Sequence, residues 1–381
     1  MKIGVIGAGR LGICFALLCE QAGYDVLVSD VRDSYVKNLQ NKFISTNEPE
    51  VSKLLSTSPR LSATTNNLKV IKECDIIYSL VATPSKKDGS YDVSSVWKVV
   101  DDLKKAGKKH ADGKAFIVGC TTNPGDCAKF QKELDNIGVD VFYNPEFIAQ
   151  GTIIQDLRRA DMVLIGGKRN ETYDQLCELY NRIQEIPPKI SIMSTTAAEL
   201  VKLAVNCFLT TKISYANMVG QVMALSGMED EIPTVLGAIG DDSRVGRKYL
   251  NFGFGFGGPC LPRDNRAFSA YAKQLGLDYN LGDTTDNFNN EHATFIKEYF
   301  TYRNPENLPF YFDYVSYKKG TDILTESQQY RLCTDLLDEG YEVYINDNDA
   351  IIDMIIKDLS EKHPDTVKFG EPEEEVFTIK F

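Results

Sequence analysis

The stretch KIGVIGAGRLG, Lys2 to Gly12, decides the fold. Ile3 to Ile6 is a short apolar run that suits a buried strand, and glycines follow at 7, 9 and 12 in the spacing G-x-G-x-x-G. Beyond them ICFALLCEQAG reads as a helix ending at Gly23, and DVLVSD as a second strand closing on Asp30. At such a strand-to-helix turn the first glycine permits the tight turn and the second lets backbone approach a pyrophosphate. The third lets helix and strand pack closely. A carboxylate at Asp30 can accept hydrogen bonds from a ribose 2′-hydroxyl and repels a 2′-phosphate, so the pattern favours NAD over NADP, with Arg32 weakening that preference a little. Gly7, Gly9, Arg10, Leu11, Gly12 and Asp30 are therefore the first candidate cofactor residues.

Working outward, CDIIYSLVAT, KAFIVGC, VDVFYNP and DMVLIGG are further strand candidates with helical stretches between several of them. They predict a doubly wound parallel sheet over about residues 1–190. From Ser194 to about Ser226 one proline-free helical run follows, a spine between two lobes. After a glycine-rich segment, LPFYFDYVSYKKGTD, a helical SQQYRLCTDLLDEG and a strand-like YEVYIND predict a smaller α/β lobe from about residue 305. The terminal GEPEEEVFTIKF is expected to be a flexible tail or an edge segment.

The 381 residues leave room for two or three domains. A net charge of −12 disfavours nucleic acid and anionic membrane surfaces as partners, though not a small anionic ligand. No apolar run is long enough for a membrane span, and no secretion signal is recognisable at the amino terminus, so a cytoplasmic location is expected. The nine cysteines are scattered, without the paired spacing of a zinc site, and no metal is expected. The three histidines, His110, His292 and His363, lie outside the motif-rich segments.

Two further features carry chemistry. In AAELVKLAVNCFLTT, Lys202 and Asn206 are one helical turn apart, with Glu199 and Thr210 on the same stripe; the stripe is either a solvated face or one that meets a ligand. In FGFGFGGPCLPRD, Phe252 to Asp264, glycines at 253, 255, 257 and 258 precede Cys260. That segment is either a connector with a buried cysteine or a place where a ligand runs close to backbone beside a nucleophilic thiol. A dinucleotide site and a nucleophilic thiol together imply covalent oxidation of an aldehyde.

Taken together, GAGRLG, VATPS at 81–85, CTTNPG at 120–125, NPEFIAQGT at 144–152, ELVKLAVN at 199–206, DSRVG at 242–246 and FGFGGPCLPRD at 254–264 resemble the nucleotide-sugar 6-dehydrogenases. The resemblance implies an α/β fold of two Rossmann-like doubly wound lobes joined by a long central helix, the C-terminal lobe short and divergent. It divides the chain into an NAD-binding domain at 1–193, a central helical dimerisation domain with the cysteine loop at 194–300, and a nucleotide-sugar-binding lobe at 301–381. The implied reaction is two successive NAD-dependent oxidations at C6 of a nucleotide sugar, through a cysteine-bound thiohemiacetal and thioester, in a homodimer. The implied sugar is that of UDP-glucose, with GDP-mannose or a UDP-N-acetylhexosamine as alternatives.

Carried over by motif, Cys260 is the nucleophile, Lys202 and Asn206 stabilise the developing oxyanion, and Glu146 is the base for thioester hydrolysis. Thr122 and Asp264 position the water. Thr83, Thr122, Gln150 and Arg263 join the cofactor contacts. Phe147, Ile148, Arg244, Tyr249, Asn251, Gly253 and Gly257 join Lys202 and Asn206 as substrate contacts, Arg244 reaching across the dimer. The chain departs from the family pattern in having Gln150 for glutamate, Arg263 for lysine, Thr325 for arginine, and a CTTNPG loop one residue short. Gln150 and Thr325 fit a second reading, a nucleotide-sugar-binding regulatory protein with weakened turnover. The joint presence of Cys260, Lys202, Asn206, Glu146 and Asp264 argues against it, since a binding module has no use for the thiol.

Overall fold

The computed structural model describes residues 1–381, which form two compact units, Met1–Lys202 and Leu203–Phe381. The division falls inside one helix, Thr195–Leu225.

The first unit is built on eight strands: β1 (Lys2–Ile6), β2 (Asp25–Ser29), β3 (Leu61–Thr64), β4 (Ile76–Ser79), β5 (Ala115–Val118), β6 (Asp140–Tyr143), β7 (Val163–Gly166) and β8 (Ile190–Met193). They lie in the order β3-β2-β1-β4-β5-β6-β7-β8. The central strands are buried on both faces, which is why they read as continuous apolar runs rather than alternating ones. The helix Arg10–Gln21 buries its length from Gly12 to Glu20 against this sheet, joining Ile13, Phe15 and Leu17 to Val5, Val26 and Ile117 in one core. The strand order reverses where β1 lies between β2 and β4, and in open α/β sheets the crevice at that reversal takes the ligand.

The sequence predicts a parallel sheet, but the observed one has a single antiparallel pair. β6 and β7 run antiparallel, meeting at Tyr143 and Gly166, while the other neighbours are parallel. Both strands are apolar runs buried on two sides, and such a run carries no mark of its direction. β3 and β8, absent from the sequence reading, are the two edge strands; each is four residues long and only partly buried.

In the second unit the rest of the helix Thr195–Leu225 is followed by helices Ile232–Asp241, Leu261–Gln274 and Leu281–Tyr302. A four-stranded parallel sheet then forms from β9 (Phe310–Phe312), β10 (Val343–Ile345), β11 (Val367–Phe369) and β12 (Phe377–Thr378), in the order β11-β10-β9-β12. Helices Gln328–Asp338 and Asp349–Lys362 supply Leu332, Leu336, Ile351 and Ile355 to its core. Of the two outcomes expected for the acidic terminal segment, the structure shows the edge. Phe377–Thr378 pairs with β9, Ile379 is buried, and the Phe381 ring lies 5.0–5.4 Å from those of Phe252, Phe254 and Phe300. No helix is long and apolar enough to cross a membrane.

Candidate active site

In the first unit the three glycines of the opening stretch do three different jobs. Gly7 has φ +96°, and a β-carbon there would lie 2.6 Å from the Leu80 carbonyl oxygen at the end of β4. A β-carbon on Gly12 would lie 2.0 Å from the Gly7 carbonyl oxygen, so only glycine lets the helix come this close to the strand. Around Gly9 there is nothing within 4 Å, and no side chain caps the helix that begins after it. The space beside Gly9 thus lies at the positive end of a helix dipole with no side-chain cap, the arrangement that binds a pyrophosphate.

Asp30 follows β2, and its carboxylate is taken by Arg32: Nε donates to Oδ1 at 2.9 Å and Nη2 to Oδ2 at 3.0 Å. Partial burial pushes the Asp30 pKa up, but the Arg32 bonds outweigh it and hold the group below the usual carboxylate range. Arg32 is itself half exposed and lies 4.1 Å over the Tyr35 ring. Arg10 Nη1 donates to Gln150 Oε1 at 3.2 Å, so two residues expected at the cofactor meet each other, 140 positions apart. Leu11 and Ile148 pack partly buried against the core, and Thr83 is buried.

Thr122 is fully buried, and its hydroxyl donates to Glu199 Oε1 at 2.8 Å. The backbone N–H groups of Gly125 and Cys127 donate to the same carboxylate at 2.6 and 2.9 Å. Glu199 therefore caps the helix Asp126–Leu134, which has no side-chain cap of its own, and fastens the CTTNPG turn. The Thr122 hydroxyl proton is committed to Glu199, which leaves its oxygen lone pairs as acceptors.

Glu146 lies just beyond β6. Tyr180, on the helix Glu171–Ile183, donates to its Oε1 at 2.6 Å, and the Lys202 ammonium donates to its backbone carbonyl at 3.0 Å while lying 4.7 Å from the Phe147 ring centre. Burial pushes the Glu146 carboxyl up to about 7 against the lowering effects of Tyr180 and Lys202. A carboxyl that titrates near neutrality can take and return a proton at working pH.

In the second unit Cys260 is exposed at the N-cap of the fourteen-residue helix Leu261–Gln274, where an anion is favoured. The other eight cysteines are buried or half-buried. Asp264, in the first turn, is buried and accepts from Asn206 Nδ2 at 2.5 Å; next to it Asn265 accepts from Thr210 at 2.9 Å. The polar stripe of the long helix is thus not a solvated face: Glu199, Asn206 and Thr210 are all buried and bonded. Arg263 is half-buried on the same turn as Asp264.

The glycine-rich loop is packed closely within its own unit. The space a side chain would fill at Gly255, Gly257 and Gly258 is taken by Asn289, the Glu326 carbonyl and the Tyr317 ring, each within 2.4 Å of an ideal β-carbon. A side chain at any of the three would collide with the protein's own atoms. Asn217 brackets the loop by accepting from the Gly253 N–H at 3.0 Å and donating to the Phe254 carbonyl at 3.3 Å. Asn289 makes both backbone bonds of Phe256 at 2.9 Å. Buried His292 meets the Gly253 carbonyl at 2.7 Å through Nε2. Asn217 and Asn289 were not singled out in the sequence, and His292 was noted there only as lying outside the motif-rich segments. Nearby, Tyr249 is exposed at φ 61°, a conformation unusual for a bulky residue, and Asn251 is exposed. Arg244 is exposed and paired with Asp242 at 2.7 Å.

This fold, with an open helix start at the strand reversal, defines a dinucleotide-dependent oxidoreductase. Residues 1–184 match the NAD-binding domain of the UDP-glucose/GDP-mannose dehydrogenase family, and residues 196–291 match its central domain. The chain belongs to that family of NAD-dependent nucleotide-sugar 6-dehydrogenases. It is 27% identical over 359 residues to a UDP-glucose 6-dehydrogenase of Haloferax volcanii, covering 90% of this chain and 82% of that one. It is 28% identical over 366 residues to a GDP-mannose 6-dehydrogenase of Pseudomonas aeruginosa, covering 92% and 82%. A UDP-glucose dehydrogenase structure from Pyrobaculum islandicum superposes with a TM-score of 0.85 at 27% identity, over 97% of this chain and 86% of that one.

The glycine geometry separates binding from folding. Gly9→Ala should leave thermal unfolding nearly unchanged and weaken NAD by about tenfold or more in calorimetric titration, because its methyl enters open space at the pyrophosphate cradle. Gly12→Ala should instead lower stability by about 1–3 kcal/mol, as overpacking does. Equal unfolding curves for the two variants would contradict this assignment.

Proposed function

We propose that the chain oxidises UDP-glucose at C6 to UDP-glucuronate through an enzyme-bound thioester. The observation that carries this reading is Cys260, the exposed cysteine, at the start of a helix whose first turn holds the buried Asp264–Asn206 pair. Bound NAD would accept the hydride of each oxidation. The chain's own residues do the rest. Lys202 and Asn206 offer fixed donors to the negative charge that grows on O6 as its proton leaves. The Cys260 thiolate adds to the C6 aldehyde, forming a C–S bond and the alkoxide of a thiohemiacetal, which a second loss of hydride turns into the thioester. Water then adds to the thioester carbon while Glu146 takes its proton; the C–S bond breaks, and carboxylate and thiolate separate.

The C-L-P-R-D form of the cysteine loop leans away from UDP-N-acetylmannosamine, and the run of UDP-glucose enzymes among the relatives favours UDP-glucose over GDP-mannose. Tyr249, Asn251 and Arg244 are proposed to meet the nucleotide sugar, the strained Tyr249 backbone being of the kind found at ligand clamps. A cytoplasmic location goes with this reading.

A homodimer is proposed on separate ground. Phe208, Tyr215, Met218, Val222 and Leu225 are all exposed on the long helix, with steps of seven, three, four and three. That seam suits a second helix packed along it.

Purified protein given NAD and UDP-glucose should form two NADH per sugar, with slower or no turnover of GDP-mannose and UDP-N-acetylhexosamines. Cys260→Ser should abolish acid formation and leave NAD affinity within about twofold. Acid formed at the normal rate by that variant would end the thioester reading, and silence with all three sugars would favour the regulatory one. For the assembly, Val222→Glu should convert a dimer to a monomer in light scattering; an unchanged mass would place the interface elsewhere.

A further inference from the structure

Glu146 does not stand alone at the end of β6. Tyr180, whose hydroxyl donates to Glu146 Oε1 at 2.6 Å, is also 2.8 Å from Asn144 Oδ1. One hydroxyl has one proton, so it can serve only one of these acceptors at a time. The Asn144 amide cannot turn to relieve the conflict: its Nδ2 donates to the Leu164 carbonyl at 2.9 Å, and Tyr78 donates to its Oδ1 at 3.1 Å. Tyr78, Asn144 and Tyr180 are each about 1% exposed, so no solvent supplies a substitute partner.

We propose that Tyr180, held by Asn144, is a positioning residue that serves both protonation states of Glu146, its hydroxyl proton turning between the Glu146 carboxylate and the Asn144 amide oxygen. With Glu146 ionised, Tyr180 donates to it. Once Glu146 has taken a proton from water, its new O–H donates to the Tyr180 oxygen and the Tyr180 proton rotates to Asn144 Oδ1. No tyrosine O–H bond breaks, both tyrosines stay neutral, and Asn144 Oδ1, the Tyr180 hydroxyl and Glu146 Oε1 each keep a partner in both states. A base that must take and give back a proton in each turnover gains from such an environment, since neither state is left with an unmet buried group.

The other ionisable groups around this carboxyl are few. Lys202 lies on its backbone side, and the buried Cys19 thiol and Tyr78 hydroxyl lie behind it, both held in their neutral forms by burial. Tyr180, likewise pushed up by burial, is no competitor for the proton. The rotation of one hydroxyl is therefore the local response available when Glu146 titrates.

The proposal rests on the reading of Glu146 as the base, and the test keeps the two apart. The carboxyl C=O stretch of protonated Glu146, assigned by its loss in Glu146→Gln, would be titrated by difference infrared spectroscopy alongside the pH dependence of kcat. Tyr180 donates a charge-assisted bond to the ionised form, so Tyr180→Phe should raise the infrared midpoint by about one pH unit. Tyr78→Phe, which leaves Asn144 Oδ1 a better acceptor for the turned hydroxyl, should raise it less. The acidic limb of kcat, where activity is lost as Glu146 takes a proton in advance, should move with the midpoint. An unmoved midpoint in folded Tyr180→Phe overturns the proposal; if that variant does not fold, an unmoved midpoint in Tyr78→Phe does so. A midpoint that moves while the kinetic limb stays supports the Tyr180 switch and removes Glu146 from the base role.

Discussion

The approach of the helix at Gly12 to the carbonyl oxygen of Gly7, too close for any side chain, sets the position of the cofactor end of the first unit. With a β-carbon there, 2.0 Å from that oxygen, the helix Arg10–Gln21 would have to back away from β1. Nine buried residues of that helix would then lose their seat on the sheet, and its open amino end would move off the strand reversal. Close packing and ligand binding are thus one requirement, met by removing side chains at two places for opposite reasons. At Gly12 the missing methyl makes room for the chain's own backbone; at Gly9 it leaves room for something else.

The same division runs through the acidic residues. Glu199 and Glu146 are both carboxyls whose pKa is raised, in each case chiefly by burial. Glu199 receives three donors, two of them backbone N–H groups at a helix start, so its charge completes a cap and has little chemistry left to offer. Glu146 receives one side-chain donor, and that donor has a second acceptor within reach. Burial gives both groups a reason to hold a proton. The supply of donors decides which one is fixed in place and which one can change state.

Much of this was legible in the sequence, and the limits have physical causes. The turn at Gly7–Gly12 was readable because its three glycines answer local backbone demands, which spacing records. The long helix was readable from its proline-free run, and the observed Thr195–Leu225 lies within a residue of it at each end. The edge strands β3 and β8 escaped notice because half-exposed four-residue strands have too little apolar pattern to stand out. The direction of β7 escaped because a strand buried on both faces looks alike in either sense. The partners of Thr122 and Glu146 lie 77 and 34 positions away, beyond any local pattern, and so Glu199 was read only as a member of a helical stripe and Tyr180 was not singled out.

In the glycine-rich loop the bare backbone has a packing cause that spacing alone does not disclose. Bare backbone beside Cys260 suggests an opening for a ligand, yet Asn289, Glu326 and Tyr317 occupy the spaces, and Asn217 and Asn289 pair with the loop as a neighbouring strand would. Arg266 adds to the closure by binding both Asp286 and Glu326, whose carbonyl fills the place of a Gly257 side chain. The consequence is a loop with little freedom, entering the helix Leu261–Gln274 at a fixed angle, with Pro262 in its first turn. A nucleophile gains from that rigidity more than from open space, because a thiol held at one position need not be ordered again each time its substrate arrives.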